Sequence, residues 1–402
     1  MIKTISELES FITKNWNTIN NYIDAKGSDY TFPLYNSVDI RESENKIAPV
    51  DNNIYPAGFN NLCLLDLDAV GNFLEKFIMQ SFPQTKSIGI LIESHTKNKF
   101  YLDNIAYLQK SIRDAGYDNV SIVSFDDNLF ENEDKLELET ASHFTLDVYK
   151  ASINDQLIFA DDTPIDFLIM NNDQSEKIDI DFNAVKTPIH PSPNAGWYKR
   201  SKSKHFVYYK DVLEDFCKHF EIDPTLLQAN FELVTDIDFS SKEGLDKIAQ
   251  AVDRVKPENE NGKVFIKGDQ GTYGMGISVV SSGEEVISFN RKSRNKMDIG
   301  KNKIKFSSVI VQEGIDTVIK YDNMPAEVTI YLVAGKSAGG FMRANSQKGA
   351  QENLNSKGMV FKKFCISEIR QNQDHKAKEA LYSIVGRLSS LASAIEINEL
   401  NN

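Results

Sequence analysis

Cysteine is almost missing: three residues in 402, Cys63, Cys217 and Cys365. They are few, odd in number and far apart, with no Cys-x-x-Cys, so neither a disulfide framework nor a zinc site is expected. A reducing compartment is the simple inference. No run of about 18 apolar residues occurs, so no membrane span is predicted. The opening Met1-Ile-Lys-Thr-Ile-Ser-Glu-Leu lacks the apolar stretch of a secretion signal, and a cytoplasmic location follows as an expectation. Positive charge is also scarce: 45 Lys and Arg against 58 Asp and Glu give a net charge of −13, which argues against a nucleic-acid partner. Repeats and low-complexity tracts are absent as well. What remains, 41% hydrophobic and 26% charged residues, is an ordinary globular composition with chain enough for two or three domains.

Familiar phosphate motifs are missing too. No G-x-G-x-x-G opens a helix, and Asp-Phe-Gly and His-Arg-Asp do not occur, which argues against a dinucleotide fold and a protein kinase. Gly335-Lys336-Ser337 imitates the end of a P-loop, but Ile330 stands where that motif needs glycine. A different glycine-rich stretch is present. Val264-Phe-Ile266 is followed by Lys267, then by Gly271-Thr272-Tyr273-Gly274-Met275-Gly276, then by Ile277, Val279 and Val280. The pattern predicts strand, glycine loop, strand. Glycines allow positive φ and close backbone approach, their N–H groups can converge on an anion, and Lys267 adds a point charge. A plain glycine-rich hairpin is the competing reading.

Ile5, Leu8, Phe11, Ile12, Trp16, Ile19 and Ile23 predict one amphipathic helix over 5–25. The stretch from Val38 to Asn61 is rich in Asn, Pro and Gly and long for a structureless loop. Within it Arg41 could hold a carboxylate bidentately, and Asn60 and Asn61 could hold an amino acid. A helix at 66–82, a strand at 87–93, a helix at 102–115 and a strand at 119–125 spell a βαβ unit and a parallel sheet. Asp166–Met170 is a further buried strand ending on Asn171-Asn172-Asp173, a place where open α/β sheets bind ligands. After Pro191 and Pro193 comes a basic aromatic run, Trp197-Tyr-Lys199-Arg200-Ser-Lys202-Ser-Lys204; His190 and His205 on either side read as packing or surface residues. Helices are predicted at 211–220, 242–255, 284–296 and 374–394. Strands are predicted at 309–315, 327–333 and 339–344, the last two antiparallel. A second basic cluster spans Arg291, Lys292, Arg294, Lys296, Lys301, Lys303 and Lys305. Both clusters are either solvated faces or anion-attracting segments.

Taken together, the C-terminal pieces resemble the ATP-grasp superfamily: Lys267 on its strand, Gly271–Gly276, and the hinge-like Val311-Gln312-Glu313-Gly314. More specifically, the chain resembles the proteobacterial-type glutamate–cysteine ligase family over most of its length. That resemblance rests on Pro49-Val-Asp51 with Pro56-Ala-Gly-Phe-Asn-Asn61, on Gly196-Trp197 with the basic run, and on Gly271–Gly276. It rests also on Asn290-Arg-Lys with Arg294-Asn-Lys-Met297, on Gly339-Gly-Phe with Arg343, and on Glu352-Asn-Leu-Asn355. The pattern departs at Gly268 and Gln270, where alanine is expected.

The resemblance implies an α/β (α+β) chain: an N-terminal α/β domain with amino-acid-binding loops over 1–195, then an ATP-grasp nucleotide-binding and catalytic region over 196–402. It implies an ATP- and Mg²⁺-dependent ligase making γ-glutamylcysteine, the first step of glutathione biosynthesis, through a γ-glutamyl phosphate. Lys267 and Gly271, Thr272, Tyr273, Gly274, Met275 and Gly276 would hold phosphates, with Gln312 and Glu313 at adenine and ribose. Arg343 would neutralise the transferring group. Arg41, Asp51, Asn60, Asn61, Lys199, Arg200, Asn353 and Asn355 would form the amino-acid side. Glu327, Glu352 and Asn353 are the magnesium candidates, with Glu396-Ile-Asn398 a further one. The expected partners are small molecules, with no nucleic acid and no membrane; the sequence sets no oligomeric state. A ligase for another acid and amine is the near alternative, and a non-catalytic nucleotide-binding protein the distant one.

Overall fold

The computed structural model describes residues 1–94, 96–131, 133–175, 177–257, 262–270, 276–298, 307–363 and 376–401. The chain starts with α1 (Ile5–Lys14), fixed by a capping box between Thr4 and Glu7 and burying Ile5, Leu8 and Ile12. The single helix expected over 5–25 is two. At Asn15 both the backbone N–H and the side-chain amide turn back to the Phe11 carbonyl, and α2 (Trp16–Gly27) restarts from there.

Strands β1 (Tyr35–Glu42) and β2 (Ile47–Asn53) follow, then α3 (Leu64–Ser81), β3 (Ser87–Ile92), α4 (Lys99–Asp114), β4 (Asn119–Ser124) and the short α5 (Asp127–Phe130). Next come β5 (Lys135–Glu139), β6 (Thr145–Asn154), β7 (Leu157–Ala160), β8 (Thr163–Pro164), β9 (Phe167–Asn171) and β10 (Ile189–His190). The second half carries α6 (Lys202–Phe220), β11 (Phe231–Val234), α7 (Lys242–Val255), β12 (Val264–Gly268), β13 (Ser278–Val280), α8 (Gly283–Ile287) and α9 (Arg291–Asp298). It ends with β14 (Val309–Glu313), β15 (Lys320–Tyr321), β16 (Met324–Val333), β17 (Lys336–Asn345), β18 (Met359–Lys363) and α10 (Lys376–Asn401).

Three sheets result. The predicted βαβ unit is present: β3 pairs parallel with β4 and β9 at the centre of an eight-stranded sheet. A four-stranded antiparallel sheet runs β11-β14-β12-β13, and a six-stranded one runs β18-β17-β16-β1-β2, with β15 beside β16. β1 and β2 thus complete a sheet whose other strands lie beyond residue 320, so a boundary at 195/196 cuts through one sheet.

One apolar layer joins α3 and α4 to the parallel sheet and to one face of the six-stranded sheet through Tyr331 and Phe341. On the opposite face Val328, Ile330 and Leu332 pack with α1, α6 and α10. The small sheet has its own core, where Val264, Ile266, Val309 and Val311 meet Ile248 and Val252 of α7. These layers leave a cleft between the two antiparallel sheets, the arrangement expected of an ATP-grasp fold. Helix α10 is long and apolar enough to cross a membrane by length and composition, yet 89% of that window is buried inside the fold. Cys217 is free and buried. Cys63 is disulfide-bonded, which corrects the expectation of no disulfide, since spacing along a chain does not fix spacing in the fold.

Candidate active site

Strand alternation builds the cleft. On β12, Val264 and Ile266 turn to the core, while Phe265 and Lys267 turn to the cleft. Gln312 on β14 does the same. From the facing sheet come Asp39 and Arg41 of β1, Glu327 of β16 and Arg343 of β17, and Glu327 lies directly across from Arg343.

Lys267 is buried. Its Nζ donates to Gln312 Oε1 at 2.7 Å and to the Val50 carbonyl at 2.8 Å. Burial pushes its pKa down to about 8, with Asp51 pulling the other way. Arg343 Nη1 donates to Glu327 Oε1 at 2.6 Å and to Asp39 Oδ2 at 3.0 Å, and Arg41 Nε donates to Glu327 Oε2 at 2.9 Å. Burial favours the neutral acid at Glu327, but Arg41 and Arg343 outweigh it and hold the carboxyl below its usual range. These ion pairs lie within one sheet, along one wall of the cleft, which leaves about 50 Å³ free.

Among the described residues, two buried donors in the cleft have no partner: Gln312 Nε2 and Arg343 Nε. Orphaned buried donors are costly, and their complement is an acceptor-rich ligand. Because Lys267 claims Oε1, the Gln312 amide presents N–H.

For magnesium the fit is conditional. Asp39 and Glu327 are hard oxygen donors, but both are held by arginine, and among the described residues no three His, Cys, Asp or Glu side chains are grouped as a metal site. Asn353 and Asn355 line the cleft; Asn353 Oδ1 already accepts from Asn355 N at 3.0 Å. Glu352 does not line it. Its carboxylate, half-exposed, accepts from Lys348 and Gly349, while its backbone carbonyl accepts from Arg41 at 2.7 Å. Glu313 lines the cleft, but its carboxylate is occupied by Lys46, at 2.6 and 2.7 Å, and by Asn230 N.

Gly271, Thr272, Tyr273, Gly274 and Met275 lie outside the described residues, as do Lys301, Lys303 and Lys305. Gly276 closes the segment at φ 66°, a left-handed conformation that favours glycine.

The basic run divides. Arg200 is buried away from the cleft: Nε and Nη2 donate to Glu396 at 2.9 and 3.1 Å, and Nη1 donates to the Asn52 carbonyl at 2.7 Å. Lys199 Nζ donates to the Leu400 carbonyl at the far end of α10. Both side chains bond the last helix, and neither lines the cleft. Glu396 for the same reason is no free metal ligand: it sits inside α10, bonded to Arg200 and His205. Asn398 is exposed on the same helix. His190 and His205 are packing residues as expected. His190 is stacked on Phe167 and pushed down to about 4 by burial.

The third lysine of the run matters more. Lys202 is buried over the Trp197 ring, and its Nζ donates to Asp51 Oδ1 at 2.5 Å. Asp51, whose pKa burial would raise, is held low by Lys202 and Lys267. Two buried ammonium groups thus face one carboxylate at the cleft edge. In the sequence Lys202 is only one member of a basic run, and Asp39 does not stand out at all. The i, i+2 spacing of Asp39 and Arg41 on a strand was the available signal.

Asn60 and Asn61 are elsewhere. They line a separate chamber of about 1370 Å³ at the carboxyl ends of β3 and β4, with Glu93, Asp103 and Asp126. Asn104 on α4 accepts from Gly58 N and Phe59 N at 2.8 and 3.0 Å and so fixes the turn that presents them. Asn171, the polar strand end, donates to the Pro56 carbonyl; it holds this loop in place. Phe361 of β18 lines the chamber and is the cross-strand partner of Arg343. Arg343 itself lines the cleft and not the chamber.

The comparisons with known proteins define the class: the chain is an ATP-dependent carboxylate–amine ligase. It belongs to the GshA glutamate–cysteine ligase family, which it matches over residues 9–397. It is similar to the crystal structure of a protein provisionally named a γ-glutamylcysteine synthetase, from Methylobacillus flagellatus KT. The TM-score is 0.88 at 30% identity, covering 98% of this chain and 96% of that one. D-alanyl-alanine synthetase A from Vibrio cholerae O1 biovar eltor is a more distant likeness, with a TM-score of 0.40 at 12% identity over 78% and 82% of the two chains. No curated protein matches the chain.

Proposed function

We propose that the chain activates the γ-carboxylate of glutamate with ATP and passes the acyl group to the amine of cysteine. A carboxylate is inert to amines until its oxygen becomes a leaving group. Attack on the ATP γ-phosphate gives γ-glutamyl phosphate and ADP; the cysteine amine then adds to the carbonyl, phosphate leaves with the C–O electron pair, and the amine loses a proton. Catalysis is then mainly positioning and charge neutralisation. Lys267 and the Gln312 amide would hold phosphate oxygens. Arg343, exchanging carboxylates for the transferring group, would neutralise it. Magnesium would supply further charge neutralisation at the phosphates, with Glu327 and Asn353 as its holders once Arg41 and Arg343 release Glu327. Arg41, Asp51 and Asn355 would face the acid, and Asn60 and Asn61 the approaching amine.

The two orphaned donors in the cleft carry this reading. Hydroxylamine tests it. With ATP and glutamate it should release ADP and yield the γ-hydroxamate, and cysteine should suppress that product by competition. ADP release indifferent to glutamate would mark a plain ATPase. The chamber volume favours one second reading, that the amine is larger than cysteine. ADP release across an amine series decides between them.

A further inference from the structure

We infer that Asp269 is a positioning residue of the cleft: it pins the end of β12, which carries Lys267, to the N-terminus of α6, which carries Lys202. The inference rests on the reading of Lys267 as a phosphate contact.

Strand β12 ends at Gly268, and Asp269 is the next residue, buried, two positions before Gly271. Every polar handle it has is taken. Oδ2 accepts from Ser201 Oγ at 2.6 Å and Oδ1 from Ser203 N at 2.8 Å. Its carbonyl accepts from Lys202 N at 2.8 Å, and its own N–H donates to the Ser308 carbonyl at 3.3 Å. Ser201 is the N-cap of the 19-residue α6 and also accepts from Lys204 N, so its hydroxyl serves helix and carboxylate at once. A carboxylate at that end is favoured by the helix dipole.

The joint does two things. It sets the direction in which the chain leaves β12 after Lys267. It also fixes Lys202 between the two bonded serines, so that its ammonium reaches Asp51. Asp269 does not line the cleft and both its carboxylate oxygens bond the start of α6, so it acts through the backbone it anchors.

The experiment is steady-state kinetics on the full chain, with thermal melting to check the fold. Asp269→Ala should raise the KM for ATP on the order of tenfold while kcat at saturating ATP stays within about threefold. Asp269→Asn keeps an acceptor for Ser203 N and should recover most of the loss. Ser201→Ala should give part of the effect, and adding it to Asp269→Ala should add little, because both break one joint. The magnesium needed for half-maximal rate should not move. An unchanged KM in Asp269→Ala overturns the inference. So does an Asn variant as poor as Ala with a raised magnesium requirement, the mark of a metal ligand. If Asp269→Ala fails to fold, the Asn and Ser201→Ala variants carry the same comparison. A parent chain that does not saturate with ATP strikes the nucleotide reading itself.

Discussion

Lys267 shows how one side chain ties stability to chemistry. Folding lowers its pKa from 10.5 to about 8. Between those values the unfolded chain holds a proton that the folded chain has lost, so stability rises with pH across that window. Below pH 8 the cost of burying the charge is present in full, on the order of 3 kcal/mol. Lys267→Met should therefore melt higher than the parent at pH 7, with the advantage shrinking from pH 8 to 10.5. Its turnover should fall on the order of 10²–10³-fold, the usual loss of a charge-stabilising contact. Bound phosphate favours the ammonium, so kcat/KM for ATP should decline above pH 8 as one proton is lost; Lys267→Arg should lack that limb. A Met variant with normal turnover removes Lys267 from the phosphate site.

Helix α10 is the element the sequence reveals least. The sequence predicts a helix over 374–394 and leaves Glu396 just after it, as a magnesium candidate, whereas the helix runs on to Asn401 and encloses Glu396. The structure pairs it with Arg200 and His205, all three buried. Removing one partner of a buried ion pair leaves a bare charge and costs about 3–5 kcal/mol. Arg200→Met should lower the melting temperature sharply and leave the KM for ATP nearly unchanged in the surviving fold. Arg200→Met with Glu396→Gln should regain part of the loss. A stable Arg200→Met with a raised KM would return Arg200 to the substrate site. The contrast with β12 and β14 explains what was legible. A lone Lys267 or Gln312 inside an apolar strand must face something polar, and period-two alternation says which side. No local rule says where the first turn of a helix will dock, so Lys199, Arg200 and Lys202 look alike in sequence while only Lys202 reaches the cleft. Likewise Asn171 stands where ligands bind in α/β sheets but is used to hold a loop.

At the scale of the whole molecule, a net charge of −13 repels both ATP and glutamate. Helix α9 opposes that field locally with Arg291, Lys292 and Arg294, the first two exposed. Replacing Arg291 and Arg294 by Gln should lower kcat/KM for ATP several-fold at low salt. The difference should close as salt rises, since screening sets in within about 10 Å at 0.1 M. If neither the constant nor its salt dependence moves, α9 is only a solvated face. The sheet bearing Arg343 has a consequence of another kind. Its Asp39–Thr329 hydrogen bond spans 290 residues of sequence. A ribosome adding roughly 5–20 residues per second emits β1 and β2 long before the strand that must lie beside them. For on the order of half a minute the nascent chain carries two finished strands with no β16 to accept them, and the sheet face bearing Arg343 is assembled only once β16 and β17 have been made.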